Sequence, residues 1–72
     1  MNIGEALRSM RNGKRVQRTG WSDKIMYLCM QIPDDHSKMT LPYIYVCSKH
    51  LELVPWTCNQ IDLLAVDWVV VE

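Results

Sequence analysis

The 72-residue chain carries no excess of charge: eight basic and eight acidic residues cancel, leaving a formal net charge of zero at neutral pH. No global field therefore draws it to a nucleic acid polymer or an anionic membrane surface. Its longest apolar stretch falls far short of the ~20 residues needed to span a bilayer, and it opens on no secretory leader pattern. Only three glycines are present, Gly4, Gly13 and Gly20, and they are dispersed, so there is no glycine-rich phosphate loop. Cysteines are few and odd in number. Cys29, Cys47 and Cys58 are widely spaced, which argues against a secreted disulfide framework and for reduced thiols in a cytosol. With only His36 and His50 to join them, zinc-ligand spacing is missing. Linkers, repeats and low-complexity segments are also lacking.

The length bounds the rest. Residues 1–72 make one domain, with no room for a second core. So short a chain has a marginal core unless a disulfide, a metal or oligomerisation supports it, and oligomerisation best fits this composition.

Two of the three tryptophans fall within Leu53–Trp68, which reads as strand, turn and short helix. Pro55 ends or edges a ladder, and Trp56 stands where the chain leaves it. Asn59 is a helix N-cap with Asp62 three positions on, so a helix starts at Asn59 or Gln60. Leu63, Leu64 and Trp68 are expected to bury one side of it while Asp67 stays wet. Asp62 reads either as part of the cap or, with Trp56, Asn59 and Gln60, as part of a polar, aromatic recognition surface.

At the start, Asn2 and Glu5 have capping-box spacing. Ile3, Ala6, Leu7 and Met10 repeat at helical intervals and Gly13 suits a left-handed stop, predicting a helix from Ile3 to Asn12. Strands are expected over Lys14–Arg18, Lys24–Ile32, Pro42–Cys47, Leu51–Val54 and the β-branched run Val69–Val71. The second is apolar on both faces, with Ile25, Tyr27 and Cys29 on one and Met26, Leu28, Met30 and Ile32 on the other. That pattern suits one side meeting the helix and the other a second subunit. Trp21, after the Thr19-Gly20 turn, either closes the core or stacks on a base or sugar. The fold class is thus α+β: a small antiparallel sheet of four to five strands, an N-terminal helix, a short helix before the last strand, and a homo-oligomer.

In this order the residues resemble a known family. Those that carry the likeness are Met1–Leu7, Gly20-Trp21, Met26-Tyr27-Leu28, Ser37-Lys38-Met39, Pro42–Tyr45, Val54-Pro55-Trp56, Gln60, Asp62–Ala65 and Asp67-Trp68. The family is DUF2829, small phage and prophage proteins that include the second type of Thoeris anti-defence protein. The resemblance implies a sponge that holds a cyclic ADP-ribose isomer, the signal made by TIR-domain defence enzymes, or a related cyclic dinucleotide. It would do so in the cytoplasm of the infected host, as a homotetramer with pockets between protomers, without cofactor or turnover. Position by position it implies Trp21, Tyr45, Trp56, Gln60 and Asp62 as ligand-binding residues. Stacking falls to Trp21 or Trp56, and bonds to ribose hydroxyls or a base edge fall to Gln60 and Asp62. Arg15 and Arg18 join as phosphate partners on charge and nearness to Trp21. The chain departs from the family at Ser48-Lys49-His50, where a glycine-bearing turn is usual, and at Cys58-Asn59 and Ile61, which replace small polar residues.

No catalytic constellation is apparent, since a nucleophilic enzyme needs a base beside an activated serine or cysteine. The pair Asp34-Asp35 beside His36 is the one group that could suggest acid–base or metal chemistry, and adjacent acids in a turn ordinarily face water. The alternatives to a sponge are a phage structural or interaction module that binds no nucleotide and, behind it, an enzyme that degrades one.

Overall fold

A computed structural model of the chain describes residues 1–21 and 25–71, with Ile25 and Met26 described by their backbone alone. The elements run α1 (Ile3–Arg11), β1 (Val16–Arg18), β2 (Ile25–Gln31), β3 (Tyr43–Ser48), β4 (Leu53–Pro55), α2 (Gln60–Leu63) and β5 (Trp68–Val70). The expected first residue of β2, Lys24, lies outside the described residues.

Helix α1 is fixed by its ends. Asn2 Oδ1 accepts the Glu5 N–H at 2.9 Å and the Glu5 carboxylate accepts the Asn2 N–H at 2.9 Å, a complete capping box. At the other end Gly13 has φ +85°, its N–H donates to Met10 O and the Lys14 N–H donates to Ser9 O, both at 3.0 Å. Those two bonds close a Schellman motif, which a side chain at Gly13 would strain.

The strands form one antiparallel sheet in the order β4-β3-β2-β1-β5. Alternation gives it two unlike faces. Val16, Leu28 and Val46 point to the side that α1 covers and, with Ala6, Met10 and Trp68, make the buried core. Tyr27, Cys29, Tyr45 and Cys47 alternate with Leu28 and Val46 and so point to the reverse face. A register shift between Ile25 and Tyr27 interrupts the simple alternation expected along β2.

The segment 56–67 leaves β4 at one edge and reaches β5 at the other, crossing the helix side of the sheet on the way. Here the expected helix is corrected. It ends at Leu63, whose side is open to solvent along with that of Leu64, and Trp68 belongs to β5, where it pairs with Arg18 and is fully buried. Burial of that one ring, not a helical stripe, anchors the crossover.

The β3–β4 hairpin shows what the missing glycine costs. Leu51 N–H donates to Ser48 O at 2.9 Å, the Ser48 N–H donates to Glu52 O at 3.0 Å, and Leu51 itself takes φ +63°. A turn followed by a left-handed residue is where hairpins usually place glycine. Leucine there is strained by roughly 1–2 kcal/mol.

Candidate functional site

On the helix side the three tryptophans meet. Trp68 lies at the centre, with the Trp21 ring at 5.2 Å and an interplanar angle of 81°, and the Trp56 ring at 6.1 Å and 87°. Both contacts are edge-to-face, the geometry that ring quadrupoles favour. Trp21 and Trp56 are half-buried, so both outer rings keep surface toward solvent. The Trp56 N–H donates to Ile44 O at 3.0 Å, which pins that residue just beyond the end of β4.

Asp62 stands beside this cluster, 8 % exposed and the one buried charged residue among those described. Its Oδ1 accepts from Arg18 Nη1 at 2.8 Å and from Trp21 Nε1 at 3.3 Å, while its carbonyl accepts from Trp68 Nε1 at 3.1 Å. Its own N–H donates to Asn59 Oδ1 at 2.8 Å, so Asn59 caps α2 as its position suggested. The Asp62 side chain therefore reaches inward to Arg18 and Trp21.

Arg18 also bonds a second carboxylate, with Nε donating to Asp67 Oδ1 at 2.7 Å. Asp67 was expected to stay wet. Instead its other oxygen accepts from Thr19 Oγ1 at 3.1 Å and from the Gly20 N–H at 3.2 Å, which clamps the turn leading to Trp21. The guanidinium bond, followed by those from Thr19 and Gly20, holds the Asp67 carboxyl below its ordinary range. The two carboxylates in turn, Asp67 ahead of Asp62, raise Arg18. One cation between two anions leaves the triad with a net charge of −1, a poor seat for phosphate.

The expected site residues thus divide. Arg18, Trp21, Trp56, Asn59 and Asp62 come together on the helix side, with Gln60 exposed at the first turn of α2. Arg15 and Tyr45 do not join them. The Arg15 guanidinium carbon lies 4.9 Å from the centroid of the Tyr27 ring on the reverse face. Tyr45 points to that face too, lining an open groove of about 610 Å³ with Met39, Leu41, Tyr43, Leu53 and Val54. Burial, and then the Cys29 sulfur beside it, push the Tyr45 phenol up to about 12. The neighbouring Tyr27 phenol is raised as well, first by its bond with Cys47 and then by burial.

Asp67 and Trp68 are neighbours of the candidate site that sequence reasoning placed elsewhere. Asp67 lies 49 positions from Arg18, and a spacing that long leaves no periodic trace. Nucleophilic chemistry finds little support at Cys58, whose thiol is pushed up by desolvation and then by the charge of Asp62, and so stays protonated. In the 34–37 turn, Asp34 accepts from the His36 N–H at 2.8 Å and from Ser37 Oγ at 3.1 Å, and these bonds, His36 first, lower its carboxyl. It is an exposed turn closed on itself. Among the described residues no helix is long and apolar enough to cross a membrane, and no three His, Cys, Asp or Glu side chains gather in a way that would hold a metal.

Comparison with known proteins decides the family. The model of the Thoeris anti-defense 2-like domain matches residues 1–71. The chain belongs to that family. It is also 27% identical over 84 aligned positions to Thoeris anti-defense 2 of Bacillus phage SP01, covering 99% of this chain and 94% of that protein. A Thoeris anti-defense 2-like chain is thus expected to act against Thoeris defence, and the tryptophan cluster with its carboxylate–guanidinium frame is its candidate site.

Proposed function

We propose that this protein is a signal sponge. It binds a cyclic ADP-ribose isomer produced by a Thoeris TIR enzyme, or a related cyclic nucleotide, and withholds it intact from the effector in the cytoplasm of an infected bacterium. The observation that carries this reading is the pair of half-buried indoles, Trp21 and Trp56, set around Trp68 beside the exposed polar start of α2. Indole faces stack on a purine, and the amides of Asn59 and Gln60 suit ribose hydroxyls or a base edge. The phosphates need a cation, and Arg18 is already shared between two carboxylates.

Assembly supplies one. Met39, Leu41, Tyr43 and Leu53, which line the groove, are 39–74 % exposed, and with seven buried hydrophobic residues among those described there is little core to spare. A homo-oligomer, a tetramer in this reading, covers the groove and brings Arg15 and Tyr45 of one protomer to the indoles of another. The same apolar groove also favours a second reading, a module that binds another protein through this surface and takes no nucleotide.

Calorimetric titration with the TIR-derived isomer and a panel of cyclic dinucleotides tests the proposal. After binding, the protein is heat-denatured and the ligand analysed. The sponge predicts tight binding and recovery of unaltered ligand. Altered ligand makes the protein an enzyme, and no binding across the panel leaves the interaction module.

A further inference from the structure

Asp62 was expected to bond the ligand directly, yet its geometry turns the carboxylate the other way. The residue is 8 % exposed, and Oδ1 holds two donors at once, Arg18 Nη1 at 2.8 Å and Trp21 Nε1 at 3.3 Å. An indole has a single N–H. When that group is bonded inward, the ring cannot turn over without breaking the bond, so its faces are fixed before any ligand arrives.

We propose that Asp62 is a positioning residue that acts through Trp21 and does not touch the ligand; the inference rests on the sponge reading above, in which Trp21 stacks. The rest of the frame serves the same ring. Arg18 ties Asp62 to Asp67, Asp67 Oδ2 accepts the Gly20 N–H at 3.2 Å, and the Trp21 N–H donates to Arg18 O at 3.1 Å. Both the backbone and the indole of Trp21 are therefore held, one by Asp67 and Arg18, the other by Asp62. A ring ordered in advance spares the ligand the entropy of ordering it, and that saving appears as affinity. Trp68 offers an internal control, because its indole N–H bonds the main-chain carbonyl of Asp62 at 3.1 Å, a group that side-chain substitution leaves in place.

The test is a double-mutant cycle of Asp62→Ala and Trp21→Phe, titrated with the TIR-derived cyclic ADP-ribose isomer and run beside hydrogen exchange of the indole N–H groups without ligand. If Asp62 works through Trp21, Asp62→Ala weakens binding about tenfold in the natural background and less than about twofold once Trp21 is Phe. Its conservative partner Asp62→Asn, which keeps an acceptor for the indole, recovers most of the affinity. Asp62→Ala speeds exchange at the Trp21 indole and spares that of Trp68. Losses that multiply in the double variant overturn the proposal, since they place Asp62 against the ligand. Should Asp62→Ala fail to fold, the unmodified protein still decides: a Trp21 indole that exchanges as fast as free tryptophan overturns the proposal, and a protected one supports it. If the unmodified protein binds none of the isomer, the sponge reading falls, and the exchange comparison alone settles whether Asp62 holds the ring.

Discussion

The two sides of the sheet are built on opposite plans. On the helix side the central charged groups are paired within the chain: Asp62 and Asp67 share Arg18, two indole N–H groups are bonded to Asp62, and Trp68 is the only fully buried ring among the described residues. The reverse face and its groove carry large apolar side chains in the open, with Arg15 stacked on Tyr27 and the Tyr45 phenol kept neutral among sulfur and aliphatic groups. A surface whose charged groups are paired, and whose aromatic rings and neighbouring amides remain partly open, suits a small ligand. One that leaves large aliphatic groups wet suits another protein surface, including a second copy of itself.

Breaking the helix side at its centre has the largest expected effect. Trp68→Ala removes a fully buried ring and both edge-to-face contacts, and is expected to cost about 3–5 kcal/mol in a denaturant melt. On the reverse face Leu41→Asp places a charge in the groove at a residue that is 74 % exposed. If the chain assembles through the groove as proposed, this variant is expected to give smaller species by light scattering while leaving the tryptophan fluorescence of the cluster in place. An unchanged mass would remove the groove from the interface.

Acid sharpens the contrast between the faces. The Asp67 carboxyl is lowered in the fold, so its contribution is present above the ordinary carboxylate value of about 3.9 and is lost as pH falls below that toward its folded value. Melting temperature should drop through this window, and Asp67→Asn should flatten the drop. Alkali acts on the other side. With Tyr45 pushed up to about 12, the neutral phenol stabilises the fold below its ordinary value near 10, and that contribution is lost as pH rises from there toward 12. A phenolate absorbance titration should show Tyr45 as the latest phase, which Tyr45→Phe removes, with the raised Tyr27 phenol also displaced upward. The smallest effect belongs to the hairpin between β3 and β4. Leu51→Gly relieves a left-handed backbone at a 72 % exposed position and should stabilise by about 1 kcal/mol.

What could be read in the sequence was mostly local. The α1 capping box, the Gly13 stop, the α2 cap at Asn59 and the class of the fold all follow from neighbours within a few positions, and each appears in the structure. Trp68 was drawn into the helix because Leu63, Leu64 and Trp68 keep a helical spacing. The real helix is four residues long, and burial of Trp68 beneath the crossover outweighs that pattern. The division of the site was not legible either. Arg15 and Arg18 are three positions apart and look equivalent as cations, yet strand alternation sends them to opposite faces, one onto Tyr27 and the other into the two carboxylates. The two Arg18 pairings join residues more than 40 positions apart, and only the folded chain reveals them.

The most direct test of the account is amide and indole NMR during titration with the TIR-derived cyclic ADP-ribose isomer. The account predicts that the indole signals of Trp21 and Trp56 and the side-chain amide signals of Asn59 and Gln60 move on binding, whether or not the groove beside Tyr45 moves with them. Shifts confined to the groove, with both indoles unmoved, would contradict it and transfer the ligand to the reverse face.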